Sequence, residues 1–223
     1  MHHVFETAWI KHSRQDRLTQ QTYTYKTDTI SKLVDTSLDY PEEINHQPQL
    51  RMVITAQNVR KWPLLPIAAP FQLRPYKPGD ENNLINLMES CGFAGWNARR
   101  LAEYLNGPER IAGSRVIADC DTIAAATFAS QNPEKPSMGQ LDYVVTHPRY
   151  RRQGLARAVC TAVLRFLEEK HYQEITLSTD DWRLEAIALY MSLGFAPVME
   201  GPDVSYRWTE VVKQIKAWRK FDA

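Results

Sequence analysis

The chain has 223 residues, enough for one large domain or for a domain with an extension. A net charge of +1, with 43% hydrophobic and 24% charged residues, is that of an ordinary globular protein and gives no electrostatic reason to expect nucleic acid or an anionic membrane as partner. No apolar run reaches the about 20 residues of a membrane span, and the start MHHVFETAWIKHSRQ lacks the apolar core of a secretory signal, so the expected location is cytoplasmic.

In chain order, TYTYKTDTI (22–30) alternates like a strand, and LRMVITAQNV (50–59) reads as another. The stretch between them has weak helical character followed by turn chemistry. Closely spaced Pro63, Pro66 and Pro70 suit an extended connector and place a domain boundary there, with residues 1–69 as an extension of unknown role. That extension reads as a docking flap, an oligomerisation arm or a partly disordered segment. Downstream, FQLRPY (71–76) is strand-like and ENNLINLMESC (81–91) helical. NARRLAEYLN (97–106) is a second helix with Asn97 as its N-cap. SRVIAD (114–119) and TIAAATFAS (122–130) are strands across a tight Cys120-Asp121 turn, and MGQLDYVVTH (138–147) is the next strand. From Gly154 to about Lys170, Leu155, Val159, Val163, Phe166 and Leu167 recur at helical spacing. EITLST (174–179) is a strand, and WRLEAIALYMSL (182–193) a helix closed by Gly194. FAPVME and VSYRWTEVV read as a final hairpin, and residues 213–223 as a tail. Strands alternating with helices predict a mixed α/β sheet with helices packed on it.

Cys91, Cys120 and Cys160 are odd in number and form no CxxC pair, so they read as packing residues rather than metal ligands. No metal site is expected. His2 and His3 could hold a metal only adventitiously.

The chemistry concentrates in HPRYRRQGLARAV (147–159). A strand gives way to a basic loop, and a helix begins at Gly154. Such a helix start offers unpaired backbone N–H groups and the positive end of the helix dipole, which suits phosphate. Gly154 lets the phosphate approach the backbone, Ala156 is nearly as small, and Arg151, Arg152 and Arg157 add charge. Taken alone, the same residues also read as a helix capped after a basic surface loop.

RRQGLA resembles the Arg/Gln-x-x-Gly-x-Gly/Ala signature of the GNAT N-acetyltransferases. VVTHPRY is similar to that family's approach to the loop, with Thr146 where Val is usual, and AIALYMSLGFAPV (186–198) resembles its second signature. The likeness covers roughly residues 70–212. It implies a GNAT-like mixed, mostly antiparallel central sheet with helices on both faces. It also implies acetyl-CoA as co-substrate, held at the pyrophosphate by Arg151, Arg152, Gln153, Gly154, Leu155, Ala156 and Arg157, and along the pantetheine arm by a bulged, splayed strand carrying Val144, Val145 and Thr146. Tyr190 matches the usual general acid, which protonates the departing thiolate. Its other reading is a core tyrosine. Arg183 stands where many relatives have a coenzyme-contacting Asn, and could reach a phosphate or be solvated.

The implied activity is N-acetylation of a primary amine, on a small molecule or a protein, by direct attack in a ternary complex. A non-catalytic acyl-CoA-binding sensor is the alternative, and an assembly role for the first 60 residues a third. The resemblance also suggests a homodimer as the assembly to test. Removing a proton from a lysine-like amine at pH 7 costs about 4.6 kcal/mol, against about 2 kcal/mol for the leaving thiol, so the base has the harder task. Asp142 is the first candidate, read as sharing a strand face with Val144 and Thr146, and equally readable as a salt-bridge partner. Ser178 replaces an acid that some relatives use. Asp180 and Asp181 read as N-caps. The acceptor side draws on Phe93, Trp96, Arg99, Arg100, Tyr104, Tyr206 and Trp208, with Trp96 either over the acceptor or clamping the domain.

Overall fold

A computed structural model describes residues 47–59 and 66–221. The strand expected at 22–30 and the histidines near the start lie outside the described residues. The first strand, β1 (Leu50–Thr55), is followed by a single turn, α1 (Ala56–Val59). Then come β2 (Gln72–Pro75), α2 (Glu81–Ser90), α3 (Ala98–Leu105) and the short α4 (Arg110–Gly113). Three strands follow, β3 (Arg115–Asp119) and the longer β4 (Thr122–Gln131) and β5 (Met138–Thr146). The chain continues through α5 (Leu155–Glu169), β6 (Glu174–Thr179), α6 (Leu184–Ser192), β7 (Ala196–Pro197) and α7 (Pro202–Phe221).

The strands form one seven-stranded sheet in the order β2-β3-β4-β5-β6-β1-β7. Every neighbouring pair is antiparallel except β5 and β6, which run parallel. Helices cover both faces. On one, α5 buries Val159, Val163 and Leu167, while α6 adds Ile187 and Tyr190. On the other, Leu84, Met88 and Leu101 of α2 and α3 pack on Val116, Phe128 and Val145. The centre of β4 is buried on both faces, which explains its near-continuous small and apolar run.

The sequence boundary at residue 69 left Leu50–Thr55 outside the acetyltransferase domain. In the structure this strand lies inside the sheet, pairing with β6 from Leu50↔Thr179 to Thr55↔Glu174 and with β7 through Met52 and Val53. Its alternate residues Leu50, Met52 and Ile54 are buried in the main core, and the chain divides after Pro48 instead.

The expected last strand is a helix. Val204, Trp208, Val211 and Ile215 recur at intervals of four, three and four, and all pack into the main core. VSYRWTEVV alone shows an alternation too short to reveal that stripe, and Pro202 at the first helical position favours the helix start. The supposed tail from residue 213 continues α7 to Phe221. Among the described residues, no helix is long and apolar enough to cross a membrane.

Candidate functional site

The parallel strands β5 and β6 pair only from Met138↔Glu174 to Gln140↔Thr176. Beyond that they diverge, so β5 from Leu141 to Thr146 has β4 on one side and no strand on the other. The cause is visible in the register. Ala126 opposes Val145 and Phe128 opposes Asp142, so β5 carries one residue more than β4 across this step. This is a β-bulge, which bends its strand away from a neighbour. Its centre is Tyr143, in the left-handed region at φ 44°. For a bulky aromatic residue that conformation is rare and marks a constrained position.

The bulge reverses the inside–outside alternation. Asp142 faces the α2/α3 side, where it meets Tyr104 and Ser130, and Tyr143 and Val145 belong to that core too. Val144 packs against the α5/α6 core, and Thr146 opposes Ala125 of the same face. Asp142 therefore does not share a strand face with Val144 and Thr146, because simple period-two counting fails across an inserted residue.

Past β5, a short 3-10 turn, Pro148–Tyr150, leads to the basic loop. The Tyr150 hydroxyl donates to Asp119 at 3.1 Å and its ring meets Phe71 edge-on, pinning the turn to the sheet. His147 Nδ1 accepts from the Arg149 amide at 3.2 Å, so this nitrogen serves the turn. Arg152 at φ 64° and Gly154 at φ 77° swing the chain into α5. No side chain caps this helix, and its first turn carries no acidic residue. The leading N–H groups thus face the loop side without a side-chain acceptor. A Cβ added to Gly154 would meet nothing within 4 Å, so there is open space before the helix. The residues present therefore fit a pyrophosphate: an uncapped helix start with open space at Gly154 and with Arg151 and Arg152 exposed beside it.

The other predicted loop residues divide by role. Gln153 is exposed and Ala156 half-buried, whereas the Leu155 side chain is buried in the core, leaving only its backbone for a ligand. Arg157 donates from Nη2 to Ser192 Oγ, which ties α5 to α6.

Tyr190 lies on α6, 7% exposed, in the same apolar cluster that Val144 packs against. Burial pushes its phenol well above the ordinary value, the neighbouring Cys160 adds to this and Arg183 opposes it. The hydroxyl thus keeps its proton throughout the neutral range, the form a general acid requires.

Arg183 precedes α6. Its Nε donates to Asp180 Oδ2 at 2.9 Å, and its guanidinium lies 5.3 Å from the Phe93 ring centroid and 4.9 Å from that of Trp182. It is thus anchored between the α2–α3 loop and the β6–α6 loop. Asp180 also accepts from Gln49 at 2.9 Å, and Asp181 holds Arg207 of α7 through both carboxylate oxygens. Neither aspartate caps α6: each serves as a side-chain acceptor for a partner elsewhere.

On the acceptor side, Trp96 is 4% exposed and packs edge-on to Tyr104 and Tyr143, with Arg100 over its face. It clamps the domain. Trp208 is buried in α7 and Tyr206 is exposed on it. Cys91 packs against the α2/α3 core, as its sequence reading has it, and its thiol, pushed up by burial, donates to the Thr146 carbonyl at 3.4 Å. Cys160 is buried with its thiol raised to about 12, mainly by desolvation. Cys120, expected in packing, is exposed in the β3–β4 turn. Among the described residues, no cluster of His, Cys, Asp and Glu could hold a metal ion.

Two parallel central strands that part from each other, with an uncapped helix start following one of them, define an acyltransferase-type α/β fold. The comparisons agree. The family model described as "Acetyltransferase (GNAT) family" matches residues 82–195, 114 of 223 residues. The chain belongs to that family, and its folded unit is that of an acyltransferase. It is 34% identical to human N-acetyltransferase 8B over 100 residues, 43% of each chain. With human N-acetyltransferase 8 it shares 41% identity over 56 residues, 25% of each chain. The matched regions thus span less than half of these relatives. Among solved structures, a GCN5-related N-acetyltransferase from Sphaerobacter thermophilus superposes with TM-score 0.55 at 18% identity, over 68% of this chain and 50% of that one. The ribosomal-protein-S18-alanine N-acetyltransferase of Escherichia coli gives 0.50 at 21%, over 58% and 79%. At such identities these structures speak for the fold.

Proposed function

We propose that this protein transfers an acetyl group from acetyl-CoA to a primary amine by direct attack in a ternary complex. The observation that carries the reading is the uncapped α5 start at Gly154, with open space in front of it, directly downstream of the bulged strand. The names of the curated relatives, all N-acetyltransferases, support a nitrogen acceptor. The domain that would do this runs from Gln49.

In this reading the backbone from Arg152 to Arg157 binds the pyrophosphate of acetyl-CoA, with Arg151 and Arg152 neutralising its charge. The free edge of Val144, Val145 and Thr146 takes the pantetheine arm as an added strand. A backbone N–H on this edge faces the thioester oxygen and steadies charge there. Acetyl-CoA supplies the activated acyl group. As the C–N bond forms and the C–S bond breaks, Tyr190 gives its proton to the departing sulfur, and the proton lost by the amine passes to water, from which the phenol regains its own. Arg183 is well placed to offset negative charge on the phenol oxygen, the direction in which it already acts on Tyr190.

The test is thiol release from acetyl-CoA in the presence of a broad panel of primary amines, including amino acids, polyamines and peptide amino termini. Amine-dependent release by the native chain, lost in a Gly154→Leu variant that still folds, supports the reading. Tight acetyl-CoA binding with no release for any amine would instead make the protein a sensor.

A further inference from the structure

We propose that Asp142 is a positioning residue: with Thr127, Ser130 and Arg110 it forms a clamp that holds the β5 bulge and thereby aims the backbone of Val144 to Thr146. The inference rests on the acetyl-transfer reading given above and assigns that site a part nothing in its family motifs specifies.

A bulge leaves the extra residue without a ladder partner, and a left-handed tyrosine persists only if its surroundings over-determine it. The contacts around residue 143 do this from both sides. The Asp142 carbonyl accepts from Thr127 Oγ1 at 2.9 Å, so a hydroxyl from β4 replaces the backbone donor that the register shift removes. The Asp142 carboxylate accepts from Ser130 Oγ at 2.8 Å, Tyr104 OH at 3.3 Å and Gln140 Nε2 at 2.6 Å. Arg110 Nη1 lies 2.8 Å from Oδ2, a charge contact without hydrogen-bond alignment. The Arg110 guanidinium in turn sits 3.7 Å over the Tyr104 ring. On the other side, the Tyr143 ring is wedged edge-on between Phe93, Trp96 and Tyr104.

These contacts suit a clamp and not a base. A base must be free to meet the amine, whereas Asp142 is held by Gln140 on Oδ1 and by Ser130 and Tyr104 on Oδ2, with the half-buried Arg110 guanidinium beside Oδ2. On the α2/α3 side the carboxylate is fixed among Tyr104, Ser130 and Arg110. Its value to the reaction is geometric: a shift of about 1 Å in a positioned group can cost on the order of 100-fold in rate.

Thr127 makes the proposal testable, because it carries no acid–base chemistry. Four full-length proteins are compared: native, Asp142→Asn, Thr127→Val and Thr127→Ser. The readouts are kcat, KM for acetyl-CoA, the pH profile of kcat/KM, and hydrogen exchange at the amides of 143–146. The clamp account expects Asp142→Asn and Thr127→Val each to lower kcat by about 10- to 100-fold. Exchange at 143–146 rises, the acid limb of the pH profile stays in place, and Thr127→Ser recovers most of the turnover. If instead Asp142→Asn removes the acid limb while Thr127→Val works like the native enzyme, Asp142 is the base and the proposal falls. Unchanged exchange in both variants also overturns it. Should the native chain neither bind nor turn over acetyl-CoA, the functional reading fails by itself. The exchange experiment still decides whether the clamp holds the bulge.

Discussion

The two sides of the β5–β6 cleft are built by opposite routes. On the β5 side, β2, β3, β4 and β5 pair in sequence order, each with its neighbour in the chain. On the β6 side, the next strand is β1, so Leu50 lies against Thr179 and the edge is closed by the two residues of β7. One side is local and the other depends on contacts that span most of the domain. Local pairings announce themselves in sequence through turns and alternation, whereas a strand fetched from far upstream carries no mark of its partner.

The largest effect should come from removing the distant strand. A chain lacking residues 1–69 loses Leu50, Met52 and Ile54 from the core. At about 1.5–3 kcal/mol for each buried side chain, the loss rivals a whole domain's stability. We expect no cooperative thermal transition from it, and a cooperative one from a chain beginning at Gln49. Equal transitions in both would mean that the β6 side stands without β1.

Next in size is Tyr190→Phe, on the helix that follows β6. Turnover should fall by about 100-fold, as for the loss of a general acid, with acetyl-CoA affinity unchanged. Native-like turnover removes Tyr190 from the mechanism and returns it to the core.

Gly113→Ala probes the local side. A Cβ at this position would collide with Ala129 Cβ on β4 and the Phe166 ring on α5. Overpacking of this kind costs about 1–3 kcal/mol, read as a lower urea midpoint. The smallest effect concerns acid stability. Burial pushes the Asp80 carboxyl up, but hydrogen bonds from Arg74 and the Lys77 amide more than offset this and hold it below its usual value. A depressed folded value stabilises above the unfolded pKa of about 3.9 and is lost as pH falls through the folded one. Urea midpoints should therefore drop below about pH 4 in the native chain and less steeply in Asp80→Asn.

The sequence reading located most elements on the local side and the start of α5 at Gly154, because those signals are short-ranged. Asn97 caps α3 as expected, its side chain accepting from the Arg100 amide at 3.0 Å. EITLST is β6 from Glu174 to Thr179. The misreadings share one physical origin. VSYRWT (204–209) alternates over six residues, and only the recurrence through Ile215 reveals the helix. The bulge was anticipated from the family, but its consequence for Asp142 was not, since an inserted residue flips every face beyond it. Thr127 and Ser130, polar residues in an otherwise small and apolar strand, were the visible trace of the contacts around Asp142. Arg110, brought in by a four-residue helix, left no trace at all.

The most direct test of the account is calorimetric titration of the full chain with acetyl-CoA, alongside a Gly154→Leu variant, with desulfo-CoA and adenosine diphosphate as controls. At φ 77° with open space ahead, a leucine would be strained and would fill the cradle while meeting no protein atom at its Cβ. We expect one-to-one binding by the native protein, competition by adenosine diphosphate through its pyrophosphate, and no measurable binding by a folded Gly154→Leu variant. Equal binding by both proteins, or none by the native chain, would contradict the assignment of the α5 start as the coenzyme site.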